Sequence, residues 1–160
     1  MNEVMGTSVT CETIGHIVVA SGRLLLVDPA VIADWVDDEA IDDLYDLFAW
    51  GEDEEALSKA LGLPLPVLLT GVPGEQAIAV EREALALCRK HGWQVAVELR
   101  PRSHYWQSVA LTSAATGGEL VVGDRAAVVV APGDGRYPVR VERSPEGAIT
   151  RLVVDFGERQ

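Results

Sequence analysis

The chain has 160 residues, 48% apolar and 24% charged, with 15 Gly and 8 Pro. That composition fits one globular domain over 1–160 and excludes a disordered, collagenous or disulfide-scaffold protein. Thirteen Lys and Arg against 25 Asp and Glu give a net charge of −12.

The excess charge is concentrated. Between Leu24 and Ser58 stand twelve acids and no Lys or Arg, so the rest of the chain is balanced at 13 acids to 13 basic residues. Neutralising phosphates needs clustered basic residues, so direct binding to nucleic acid or an anionic membrane is disfavoured. A basic protein partner is the electrostatic fit. No apolar run approaches the roughly 20 residues of a membrane helix. The start, MNEVMGTSVTCETIGHIVV, lacks the basic n-region of a secretory signal. The expectation is a soluble cytoplasmic protein in which Cys11 and Cys88 are free thiols, Cys88 as a small core residue.

In chain order, Thr13 to Ala20 reads as a strand, Ser21-Gly22 as a turn and Arg23 to Val27 as its hairpin partner. Asp28-Pro29 reads as an N-cap and first helical residue, opening a short helix to about Val36. Ile41, Leu44, Tyr45 and Phe48 recur at helical spacing, which predicts a helix from Asp37 or Asp38 to Gly51. A third short helix runs from Asp53 to Gly62. Val67 to Thr70 is a short strand inside a proline-punctuated connector. A longer helix follows over Glu75 to His91, with Val80, Ala84, Leu87 and Cys88 inward, and Trp93 to Leu99 is a strand. Tyr105 to Thr112, Gly118 to Gly123, Ala126 to Ala131, Tyr137 to Glu142 and Ala148 to Phe156 read as a meander, packed on the long helix with Val128, Val130, Leu152 and Val154 buried. The expected class is α+β: a single domain with helices mainly in the N-terminal half and a mostly antiparallel β-sheet in the C-terminal half.

Three places carry candidate chemistry. On the predicted acidic helix, Asp38, Asp42 and Asp46 recur at i, i+4, i+8 with Asp43 alongside. Like charges at that spacing repel. The plain reading is a solvated face, and the functional one is a docking surface for a basic protein. In RPRSHYWQ (100–107), Arg102 and His104 beside Tyr105 and Trp106 offer an anion-binding or nucleotide pocket; the plain reading is a packed aromatic with a polar sheet rim. In PGDGRYPV (132–139), Asp134 and Tyr137 sit in a tight loop, either as a simple hairpin turn or as site residues at the sheet end.

His16, His91 and His104 have no ligand spacing, the two cysteines have no metal spacing, and no stretch matches a calcium loop, so neither a metal nor a cofactor is expected. No phosphate loop, GxGxxG, GxSxG or HExxH occurs. The reading is a non-enzymatic protein-binding or regulatory module with an acidic helical surface. Its alternative is a small enzyme or anion-binding protein using Arg102, His104, Asp134 and Tyr137.

At SGRLLLVDP (21–29), RSHYWQ (102–107), GGELVVG (117–123), GDGRYPV (133–139) and GAITRLVVDFG (147–157), the chain resembles a bacterial family of uncharacterised proteins. Its members pair an SG-x-L-hydrophobic-DP start with a C-terminal GDG-aromatic-P-V hairpin. The resemblance implies a compact domain with a β-rich C-terminal half and transfers no catalytic residue. Ala30 and Val31 stand where such proteins often carry Cys and Tyr.

Overall fold

A computed structural model describes residues 10–157; most of the stretch on which the reading of the chain start rests lies outside them. The described residues divide into two compact units, one formed by residues 10–24 and 131–157 and the other by residues 25–130.

In the first unit, β1 (Thr10–Val19), β8 (Gly135–Arg143) and β9 (Ile149–Val154) form an antiparallel sheet in the order β1-β8-β9. β-branched and aromatic residues alternate along β8, which puts Tyr137, Val139 and Val141 on one buried face. Tyr137 packs edge-on against Phe156 at 5.1 Å.

The second unit holds two further sheets. One is antiparallel, in the order β4-β3-β5, built from β3 (Leu44–Gly51), β4 (Val67–Pro73) and β5 (Val95–Pro101). Leu47 and Ala49 on one face of β3 join Leu57 of α1 (Glu54–Leu61) and Ala84 and Cys88 of α2 (Gly74–His91) in a core cluster completed by Leu68. Both helices end on a left-handed glycine, Gly62 and Gly92. On the opposite face of β3, Asp46, Phe48 and Trp50 follow one another at the strand period. Phe48 stacks on Trp50 at 5.1 Å and meets Trp106 of α3 (His104–Ala114) at 5.6 Å. The second sheet has the order β2-β7-β6, from β2 (Leu24–Leu26), β6 (Gly117–Val122) and β7 (Arg125–Val130). Its core of Leu120, Val122, Ala127 and Val129 is covered by Val31 of the 3-10 turn Pro29–Asp34 and by Leu111 of α3. Gly118 faces Leu111 so closely that a Cβ there would lie 2.8 Å from its Cδ2.

The expected α+β division is overturned. Among the described residues strand outweighs helix, with three small sheets spread along them and the longest helix in the middle. The helix expected from Asp37 or Asp38 to Gly51 is instead a 3-10 turn, Ile41–Asp43, running into β3, because Asp42 and Asp43 adopt positive φ (56° and 55°) and break any helical path. Tyr105 to Thr112 is helix, not strand. The expected first hairpin does not form: β1 pairs with β8, and β2 joins the sheet of β7. The expected meander is split, β6 and β7 pairing in one sheet and β8 and β9 in another. The long helix lies against β3, β4 and β5 rather than the C-terminal strands. Val128 and Leu152 are 42% and 55% exposed, since Ala127 and Val129 take the inward parity of β7. The α1 and α2 helices, the Asp28 cap and the Val67 strand stand where expected, and both cysteines are free, Cys88 buried.

Candidate functional site

The structure brings together two of the candidate groups, Asp46 and Arg102, within the second unit. β3 runs antiparallel to β5 with Tyr45 opposite Pro101 and Asp46 opposite Arg100, so Arg102, the residue after β5, falls opposite Leu44 and diagonally across from Asp46. The Arg102 amide donates to the Leu44 carbonyl (2.9 Å) and the Ile41 amide to the Arg102 carbonyl (2.9 Å), which hooks the acidic turn to this corner. Side chains then close the arrangement. Asp46 is wholly buried (0% exposed), and its Oδ1 accepts from the Gly71 amide at 2.7 Å and from Arg102 Nη1 at 3.2 Å. Arg102, 28% exposed, reaches Gln107 Oε1 with Nη2 at 3.5 Å. Gly71 serves two ends here: its φ is +59°, and a Cβ on it would stand 3.0 Å from Arg102 Nη1. Only glycine lets the flat guanidinium lie against β4.

One atom of this constellation is left over. Among the described residues Asp46 Oδ2 is buried without a hydrogen-bond partner. A carboxylate offers about four lone-pair directions, and buried polar atoms are nearly always paired. Asp46 lies on the wall of a cavity of about 120 Å³ lined also by Thr70, Arg102, Gln107, Ala110, Leu111 and Glu119. Arg102 and Gln107 divide it from a wider cleft of about 560 Å³, bordered by Asp34, Asp42, His104 and Val121. Across both hollows four carboxylates face one guanidinium, so the local field is negative.

His104 opens α3. Its Nδ1 accepts from the Val36 amide at 2.8 Å, its own amide donates to the Val36 carbonyl at 3.0 Å, and the ring lies 5.4 Å from Trp35. Burial pushes its pKa below the ordinary 6.5, opposed by a backbone hydrogen bond at Val121 and by the charge of Asp34. The imidazole is thus favoured in its neutral form, with Nδ1 committed to the Val36 amide.

The remaining candidates are dispersed. Asp38, Asp42 and Asp43 are exposed on the turn, so the expected row of carboxylates at helical spacing does not exist; Asp46 is instead inside. Asp134 and Tyr137 belong to the first unit and serve its loop. Asp134 Oδ1 accepts from the Gly22 amide (2.7 Å), and the Tyr137 hydroxyl donates to the Pro132 and Gly133 carbonyls (3.0 and 3.1 Å). Sequence reasoning missed Gly71, Gln107 and Glu119. The Thr70-Gly71 pair at the end of an apolar strand was the available signal, since glycine inside a strand marks a close approach.

No protein family, curated protein or solved structure matches this chain. Among the described residues no group of three or more His, Cys, Asp or Glu is placed to hold a metal ion, and no helix is long and apolar enough to cross a membrane.

Proposed function

We propose that this protein is a non-enzymatic binding module that takes a basic partner into the acid-lined cleft around Arg102. One observation carries the reading: the one guanidinium lining the cleft among the described residues, Arg102, is already paired with the buried Asp46, which leaves the charge of the lining to carboxylates. The rim adds Glu119, Asp34 and Asp42. An anion entering this cleft meets Arg102 but also four carboxylates, whereas a cation gains from all four. Arg102 then works as the brace that orients Asp46. The catalytic alternative has less support, because Asp134 and Tyr137 are engaged in their own loop and His104 Nδ1 is taken by the Val36 amide. The free thiols Cys11 and Cys88 support a reducing cytoplasmic setting.

The test is calorimetric titration with a lysine-rich peptide and with a glutamate-rich peptide of equal length. We expect binding of the basic peptide at low salt, its loss at 1 M salt where the Debye length is about 3 Å, and marked weakening in the double variant Asp34→Asn/Glu119→Gln. Equal binding of the acidic peptide, or a double variant that binds as tightly as the native protein, overturns the reading.

A further inference from the structure

We propose that the joint between His104 and Val36 is a proton-operated latch on the acidic segment: protonation of the imidazole releases residues 35–40 from α3 and with them the Val36 side of the wider cleft. The latch stands on hydrogen-bond geometry. Its consequence, loss of a basic partner at acid pH, rests on the cleft reading.

Val36 is held to the start of α3 at both of its backbone groups. Its amide donates to His104 Nδ1 at 2.8 Å, and its carbonyl accepts from the His104 amide at 3.0 Å. An imidazole nitrogen that accepts from a backbone N–H carries no proton, so the neutral ring holds its proton on Nε2. The second proton must go to Nδ1, where it points at the Val36 N–H. Donor then meets donor, and His104 is only 6% exposed, so water is a poor substitute for the lost partner. The group that takes the proton is the group that holds the segment. Other anchors are few. Among the described residues Val36 carries the backbone hydrogen bonds of residues 36–40, and the next along the chain is Ile41 to the Arg102 carbonyl at 2.9 Å. Asp37, Asp38 and Glu39 stand exposed between these two points, and like charges this close favour a looser path.

The charges around the ring decide where the latch opens. Asp34 and Asp42 border the cleft together with His104, and Asp37 accepts from the indole of Trp35, which packs on the ring. These carboxylates favour the imidazolium. Arg102, on the same cleft, and the first-turn amides of α3 disfavour it. β6 presents Val121 to the cleft, while its acid Glu119 lines the smaller hollow. Burial outweighs the hydrogen bond at the Val121 backbone and the pull of Asp34, so the latched ring titrates below its ordinary 6.5 and the released ring does not. Proton uptake therefore favours the released segment. The charged ring also repels a cation in the cleft, so the lost wall and the added charge weaken a basic partner together.

The experiment is NMR on the full chain from pH 7.5 to 5. It follows the His104 ring nitrogens and the exchange protection of the Val36 amide, with Ala84 and Cys88 of the α2 core as the reference. We expect Val36 to lose about tenfold in protection, the worth of one hydrogen bond, along the same curve as the His104 ring, while Ala84 and Cys88 keep theirs. In His104→Asn the side-chain oxygen takes the place of Nδ1 and accepts from Val36 without titrating, so Val36 protection there should not depend on pH. A lysine-rich peptide at low salt is expected to bind about tenfold more weakly at pH 5.5 than at 7.5, and His104→Asn to abolish that difference. A ring that takes up its proton while Val36 stays protected overturns the latch. So does a Val36 that opens only when Ala84 and Cys88 open too, and this native comparison decides even where His104→Asn folds poorly. A peptide affinity that stays constant while Val36 opens overturns the regulation of the cleft. A peptide that fails to bind at pH 7.5 overturns the cleft reading, and the latch is then decided on Val36 alone.

Discussion

Gly71 shows how much one residue fixes in this site. Its backbone holds a left-handed conformation, its amide feeds Asp46, and its missing side chain admits the Arg102 guanidinium. Gly71→Ala therefore meets a conformational penalty of roughly 1–2 kcal/mol and a contact at 3.0 Å with Arg102. We expect lower stability by about that amount in urea unfolding, together with weakened binding of the basic peptide. His104 makes a second residue-scale statement. Its pKa is lowered in the folded protein, chiefly by burial, so the unfolded chain takes up a proton first as the pH falls. The stability it contributes is fully present above its ordinary value of 6.5 and is lost as the pH drops from there through the folded-state value. Urea midpoints measured from pH 7.5 to 5 should decline through that window, and His104→Gln should flatten this part of the decline.

Elements differ in how plainly the sequence announces them. The α1 and α2 helices carry acids in the first turn, a basic residue in the last and a glycine just beyond, and each of these acts locally. The α3 helix has neither acids at its start nor basic residues at its end, and its Tyr-Trp opening resembles a strand. Its one local signal is Ser103, fully buried, whose Oγ accepts from the Trp106 amide at 3.2 Å. Ser103→Ala should lower stability by about 0.5–2 kcal/mol, measured by denaturant unfolding, and loosen the register of Gln107 against Arg102. The acidic segment misled for the opposite reason. Asp38, Asp42 and Asp46 keep helical spacing, yet two consecutive left-handed residues, Asp42 and Asp43, end the turn and send Leu44 onward into a strand. Periodicity sees spacing and not φ. Arg102 and Asp46 were both legible as candidates; that they pair, 56 residues apart in sequence, is a property of the β3 and β5 register.

For the molecule as a whole, the charge concentration read from the sequence survives while its geometry changes. The acids of residues 28–55 do not form one helical face: Asp34 and Asp42 border the wider cleft, Asp46 is buried beside the smaller hollow, and Asp37, Asp38, Glu39 and Asp43 are exposed. Exposed charges act over about 10 Å at 0.1 M salt and bear chiefly on association rate. The strand pairings that close each unit join distant segments, β1 with β8 in one and β3 with β5 in the other. Local turn and cap chemistry carries no information about such pairings, which explains why individual strands were legible and their partners were not. The most direct measurement of the central claim is an NMR titration of the protein with a lysine-rich peptide at low salt, followed at the backbone amides of Asp34, Asp42, Arg102 and Glu119. These four amides are expected to shift together as the peptide is added and to return when salt is raised to 1 M. Shifts confined to residues away from the cleft, or no shift at all, would contradict it.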